Sequence, residues 1–243
     1  ILILDNVLIP WENIFLYGDL DQFNMFGPKS GFASRLTFQG ATRLAVKTDF
    51  IAGLLIKSLE LTGTKDFRGV QTRLGEVLTW RSTFWMMTSE MARNPEPWLN
   101  GSVQPSQDAV NSYRVLAATG YARIREIVMQ DLGSALIYLP SSVKDFQSPE
   151  VRPYLDKYVR GSGGIGAEDR VKTLKMLWDA VGTEFGGRHE LYERNYGGNH
   201  EQVKLLNVWD ADGRGISKQL TDLADQAMSE YDMNGWTLPE LKR

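Results

Sequence analysis

Both histidines of the chain, His189 and His200, stand in one stretch running from Phe185 to His200. They share it with two Gly-Gly pairs (Gly186-Gly187 and Gly197-Gly198), the acids Glu190 and Glu193, the bases Arg188 and Arg194, and Tyr192, Tyr196, Asn195 and Asn199. An arginine fork pairs with phosphate or carboxylate, and a tyrosine can stack on an aromatic ligand or hydrogen-bond to it, so these types suit a grip on a planar anionic molecule. Paired glycines let the backbone approach a ligand and take up positive φ. A turn that exposes its amides can hold phosphate. The same residues have a plainer use: the glycines can end one helix and begin the next, and Arg188, Glu190, Glu193 and Arg194 can be surface ion pairs at helical spacing. Both readings stay open on the residues alone.

Other chemistries are narrowed by composition. The chain has 0 cysteines, which rules out disulfides, thiolate zinc sites, iron–sulfur ligation and cysteine nucleophiles within it, and its 2 histidines cannot build a three-histidine metal site. The 30 acids and 27 bases leave a net charge of -3 with no long basic block, so no nucleic acid partner is expected. No apolar run reaches about 18 residues, so no membrane span is expected. No signal peptide is evident, and a reducing cytoplasm is the expected compartment. Gly161 to Gly166 lacks the lysine and the preceding strand of a P-loop. Asp210 to Gly215 lacks the later ligands of a calcium loop, and the Gly-Ser pieces lack the strand-to-elbow pattern of a serine hydrolase.

The elements that would position the Phe185–His200 stretch are mostly helices. Val7, Ile9, Ile14 and Phe15 predict one or two short strands within residues 1–17, limited by Pro10 to an edge, and a turn-rich loop follows to Gly31. Leu36, Leu44, Ile51, Leu54, Leu55 and Leu61 recur at helical spacing and predict a helix over 32–61 stopped by Gly63. Within it Gln39 to Arg43 is small on one side, which lets a partner come close, while Arg43, Lys47 and Asp49 are expected mostly on a solvated face. Further helices are predicted over 65–93, 107–131 and 167–185, with a proline-rich break between Asn94 and Pro105. Gly133 to Pro140 is expected as a short extended or single-turn element, 151–158 as a short helix, 201–209 as another, and 216–231 as a last helix before a polar tail. Long amphipathic helices of this kind bury their stripes against each other as a bundle.

Four segments in this order carry a resemblance: Asp5 to Asn13, Arg43 to Phe50, Gly133 to Pro140, and Phe185 to His200 with the closing Tyr231 to Trp236. Together they span nearly the whole chain. With them the chain resembles the 4-hydroxyphenylacetate 3-hydroxylase family, the oxygenase components of two-component flavin-dependent phenol monooxygenases, which have an acyl-CoA dehydrogenase-like architecture. The resemblance implies a mostly α fold: a C-terminal helical bundle (residues 32–243, including the tail) preceded by a short β remnant of a middle domain and a connector (residues 1–31). It implies that an upstream part of the same protein packs against residues 1–17, and that the assembly is a homotetramer.

The implied activity is FADH2-dependent ortho-hydroxylation of a 4-hydroxyphenylacetate-like phenol to a catechol with O2, by way of a C4a-hydroperoxyflavin, in aromatic compound catabolism. A separate NADH-dependent flavin reductase would supply the reduced FAD. Related hydroxylases of chlorophenols, tyrosine-like phenols or pigment precursors, and a non-catalytic flavin-binding or assembly fragment, are the alternatives. The family's flavin-binding turn matches Tyr196, Gly197, Gly198 and Asn199, with Arg194 and His200 as neighbours. Gln71 and Arg73 are implied flavin contacts across a subunit boundary. No residue of this chain is assigned as the catalytic base, because the family's catalytic arginine, tyrosine and histidine lie in regions outside this numbering.

Overall fold

A computed structural model describes residues 1–230; the predicted tail and the Tyr231 to Trp236 segment lie outside the described residues. Two one-turn helices, α1 (Leu20–Asn24) and α2 (Phe26–Ser30), lead into α3 (Phe32–Thr62) and α4 (Arg68–Arg93). A two-stranded antiparallel hairpin, β1 (Glu96–Pro97) and β2 (Val103–Gln104), turns the chain into α5 (Gln107–Ile137). Short helices α6 (Lys144–Gln147) and α7 (Arg152–Tyr158) are followed by α8 (Ala167–Val181), α9 (Glu184–Tyr196), α10 (His200–Gly213) and α11 (Ile216–Ser229).

The predicted helical bundle is what forms. Buried positions Leu44, Ile51, Leu55 and Leu59 of α3 face Val70, Leu74, Val77, Phe84 and Met91 of α4 and Tyr113, Tyr121, Ile124 and Val128 of α5, and Leu174, Leu177 and Val181 of α8 close the core. Phe84 is fully buried, with Trp80 stacked at 6.0 Å and Tyr113 edge-on at 6.4 Å between ring centroids. Gly63, at φ 74, ends α3 as expected. Its N–H reaches the Glu60 carbonyl and that of Thr64 reaches the Leu59 carbonyl, which satisfies two carbonyls left over at the helix end.

Three expectations are corrected. Residues 1–17 hold no strand; their regular element is a 3-10 turn at Trp11–Asn13, and the one strand pair among the described residues is the hairpin at 96–104. Alternating residues make a strand only when a neighbour takes up their backbone groups, and no described strand pairs with them. Gly133 to Ile137 is the last stretch of α5 rather than a separate element, because Leu132 and Leu136 continue the buried stripe. Asp210 to Gly213 likewise belongs to α10. No described helix is long and apolar enough to cross a membrane.

Candidate functional site

The Phe185–His200 stretch resolves into a helix and a turn. Thr183 caps α9, its hydroxyl accepting from the Gly186 amide at 3.3 Å. Gly186 is buried where α9 crosses the end of α8, and a Cβ there would sit 2.7 Å from the Val181 carbonyl carbon. Of the first Gly-Gly pair, Gly186 therefore serves the approach of two backbones within the fold, whereas a Cβ at Gly187 would meet open space. The second pair, Gly197-Gly198, is the link between α9 and α10.

Below α9 lies a buried ionic cluster. Glu193, with a side chain 1% exposed, accepts from both terminal nitrogens of Arg43 and from Lys47, both on α3. The Arg43 guanidinium lies 4.3 Å from the ring centroid of Tyr192 and 4.9 Å from that of Tyr196. Its Nε is buried without a partner. Lys47 Nζ is 2.8 Å from His189 Nδ1 and 5.3 Å from the Tyr121 ring centroid. A lysine ammonium has only hydrogens to offer, so His189 takes the tautomer with Nδ1 free to accept. Burial lowers the pKa of Lys47 against the pull of Glu193, and burial together with Lys47 lowers that of His189. Burial also pushes the Tyr121 phenol up to about 12, with Glu193 adding to the shift.

This overturns the expected solvated face for Arg43 and Lys47, while Asp49, 38% exposed beside Arg81, keeps it. Arg43 and Lys47 meet the buried carboxylate of Glu193, and Asp49 accepts from Arg81 and from the Trp85 indole at 3.0 Å. Helical spacing puts Gln39, Arg43 and Lys47 on one stripe and His189, Glu193 and Tyr196 on another, and the fold lays these two stripes together. Two of the sequence segments noted above, Arg43–Phe50 and Phe185–His200, are thus one site. The small patch at Gly40 was the legible signal for it: a Cβ at Gly40 would stand 2.7 Å from the Tyr196 ring.

The turn itself is held from below and open above. The Tyr196 hydroxyl donates to Gln39 Oε1 at 2.7 Å, and Arg114 Nε on α5 donates to the Gly197 carbonyl at 2.9 Å. Gly197 comes so close to α5 that a Cβ would meet the Arg114 carbonyl at 3.1 Å, and Gly198 takes φ 106. Asn199 caps α10, its Oδ1 accepting from the amides of Glu201 and Gln202 at 3.0 Å each. This leaves the amides of Asn199 and His200 without an intrahelical acceptor. His200 Nε2 donates to the Arg194 carbonyl at 2.6 Å, and the Arg194 guanidinium, half exposed, binds Glu190. Gly198, Asn199, His200 and Arg194 all face outward. The arrangement offers two amides without an intrahelical acceptor and a half-exposed cation to an anionic group laid on the turn.

Gln71 and Arg73 are elsewhere. Gln71 is exposed on α4, and Arg73 Nε donates to Asp131 Oδ1 on α5 at 2.6 Å. The Asp131 side chain is 1% exposed, so Arg73 neutralises a buried charge. On α5, Asp131 lies 17 positions beyond Arg114, about 25 Å along the axis. One copy of the chain does not bring Gln71 and Arg73 beside the 196–199 turn.

Residues 23–225 match the family described as 4-hydroxyphenylacetate 3-hydroxylase C terminal (HpaB). The chain is 55% identical over 242 residues to the (3S)-3-amino-3-(3-chloro-4-hydroxyphenyl)propanoyl-[peptidyl-carrier protein SgcC2] monooxygenase of Streptomyces globisporus, covering 100% of this chain and 46% of that protein. It is 50% identical over 241 residues to the 4-hydroxyphenylacetate 3-monooxygenase oxygenase component of Escherichia coli, covering 99% and 46%. Among solved structures, the oxygenase component HpaB of 4-hydroxyphenylacetate 3-monooxygenase, complexed with FAD and 4-hydroxyphenylacetate, superposes with a TM-score of 0.83 at 27% identity, over 95% of this chain and 48% of that one. The chain thus spans about half the length of the curated relatives it matches. It belongs to the 4-hydroxyphenylacetate 3-hydroxylase family, as that family's C-terminal portion.

Proposed function

We propose that this chain is the C-terminal portion of the oxygenase component of an FADH2-dependent aromatic monooxygenase that hydroxylates a 4-hydroxyphenylacetate-like phenol ortho to its hydroxyl group. The observation that carries this reading is the likeness, over 95% of the chain, to an oxygenase component solved with FAD and 4-hydroxyphenylacetate. The residues of the 196–199 turn suit such a cofactor: the amides of Asn199 and His200, which lack an intrahelical acceptor, and the half-exposed Arg194 guanidinium, for phosphate. Gly197 and Gly198 let the turn lie close on α5, where a Cβ at either would meet Arg114.

When bound, reduced FAD would supply the two electrons that activate O2, one atom of which ends on the phenol and the other in water. This chain's part is to hold and orient. Tyr196, Gly197, Gly198 and Asn199 form the lip, Arg194 and His200 flank it, and the packed face of α3 and α5 beneath keeps water from that side. Gln71 and Arg73 would contact flavin only from another copy, in keeping with a homotetramer. Residues 1–31 then close the neighbouring domain and connect it to the bundle of 32–243. A separate NADH-dependent reductase delivers the reduced flavin in the cytoplasm.

The 55% identity to a monooxygenase of a chlorinated amino acid carried on a peptidyl carrier protein makes a tyrosine-like phenol the second substrate to try. The test is anaerobic titration of the full-length oxygenase with reduced FAD, then mixing with O2 and each phenol. Tight binding followed by catechol formation is expected. Failure to bind reduced FAD, with every phenol returned unchanged, would reject the reading.

A further inference from the structure

We infer that the α3 stripe Gln39, Gly40 and Arg43 is a positioning platform that fixes the 196–199 turn in its ligand-ready shape, with Arg43 as its central positioning residue. The inference rests on the flavin-binding reading of that turn but adds residues 150 or so positions away, which reach the lip from the α3 side through Tyr196.

Four observations carry it. Arg43 does two tasks with one planar group: its terminal nitrogens bind both oxygens of Glu193, and its face lies against Tyr192 and Tyr196. A guanidinium has the flat delocalised shape for both, which a lysine ammonium lacks. Gly40 makes room for the Tyr196 ring, which a Cβ would displace. Gln39 fixes that ring's hydroxyl at 2.7 Å. Tyr192 and Tyr196 stand 4.6 Å apart between centroids, so Arg43 and Gln39 set the ring immediately before the glycines. From there the chain has only Gly197 and Gly198 before the Asn199 cap. Glycines impose little direction of their own, so the turn takes its position from its ties: Tyr196 on the α3 side, the Arg114 bond to the Gly197 carbonyl on the α5 side, and the bonds of His200 to the Arg194 carbonyl and of the Gly198 amide to the Asn195 carbonyl across it. Glu193, 1% exposed, contacts no outside group and serves to hold the guanidinium flat.

The platform is tested in the full-length protein with Gly40→Ala, Arg43→Lys and Gln39→Ala, each compared with the unaltered protein and with Asn199→Ala in the turn itself. Gln39 is exposed, so Gln39→Ala folds even if the buried changes do not. Three quantities are read: the thermal midpoint, amide hydrogen exchange across residues 195–202 without flavin, and the Kd for reduced FAD. The expected result for Gly40→Ala and Arg43→Lys is faster exchange confined to 195–202 and a Kd raised about tenfold, equivalent to about 1.4 kcal/mol. Gln39→Ala should raise it about threefold, with its midpoint unchanged.

If Asn199→Ala weakens reduced FAD binding while the three platform variants bind and exchange like the unaltered protein, the platform is rejected and the flavin turn stands. If the unaltered protein binds no reduced FAD, or Asn199→Ala binds as tightly as it does, the flavin reading falls and this inference falls with it. A loss of midpoint in Gly40→Ala or Arg43→Lys with exchange raised evenly along the chain would show a merely structural role, and would also overturn the platform.

Discussion

Helices α9 and α11 are nearly equal in length, 13 and 14 residues, and are anchored in opposite ways. α9 packs on α5 and α8 and reaches α3 through Glu193, so that two carboxylates, Glu190 and Glu193, are among its buried residues. α11 has the more regular apolar stripe, yet buries none of its residues and packs chiefly on α10. Leu220, Leu223 and Met228 are left 63%, 65% and 72% exposed. An apolar stripe shows only that a helix can be buried. What places α9 is a matched set of charges and rings, which costs more to desolvate and is correspondingly harder to satisfy anywhere else.

The largest loss is expected at Glu193. Glu193→Ala leaves Arg43 and Lys47 under α9 without their anion, and is expected to cost roughly 3–5 kcal/mol in denaturant unfolding. A cost below about 1 kcal/mol would show that α9 is held by its apolar contacts alone. Asn199→Ala removes the cap of α10 and should cost about 1 kcal/mol.

A pH series sharpens the picture further. The folded-state pKa of His189 lies below its ordinary 6.5, because of burial and Lys47. Unfolded chains therefore bind the proton more readily, and the stability that neutral His189 contributes is present above about pH 6.5 and lost as pH falls through the lower folded value. Unfolding midpoints should drop over that acid window, and His189→Asn should flatten the drop; a parallel pH curve in the variant would exclude His189 as its source. The smallest effect belongs to α11. Leu223→Ser, at an exposed position, should change unfolding free energy by no more than about 0.5 kcal/mol, and a large loss would mean that α11 is covered after all.

Much of this architecture was legible. Leu44, Ile51, Leu55 and Leu59 repeat at helical spacing, Gly63 stops α3, and Pro95, Pro97 and Gly101 break the chain where the hairpin forms. The site was legible in part. The Phe185–His200 stretch stood out by its residue types, and Gly40 by its lack of bulk. Arg43 and Lys47 could not be placed, because a charged pair four residues apart looks the same whether it faces water or a buried carboxylate.

The sequence by itself determined the long helices α3, α4, α5 and α8, their order and the family, since spacing, caps and segment order are local properties of the chain. Only the tertiary structure decided that the stripe at Gln39, Gly40, Arg43 and Lys47 lies under the stripe at His189, Glu193 and Tyr196, 150 or so residues later. It decided as well that Arg73 spends its charge on Asp131 rather than beside the turn. Burial of a charge depends on which partner arrives to neutralise it, and that partner is chosen by packing of whole helices, which no local pattern encodes.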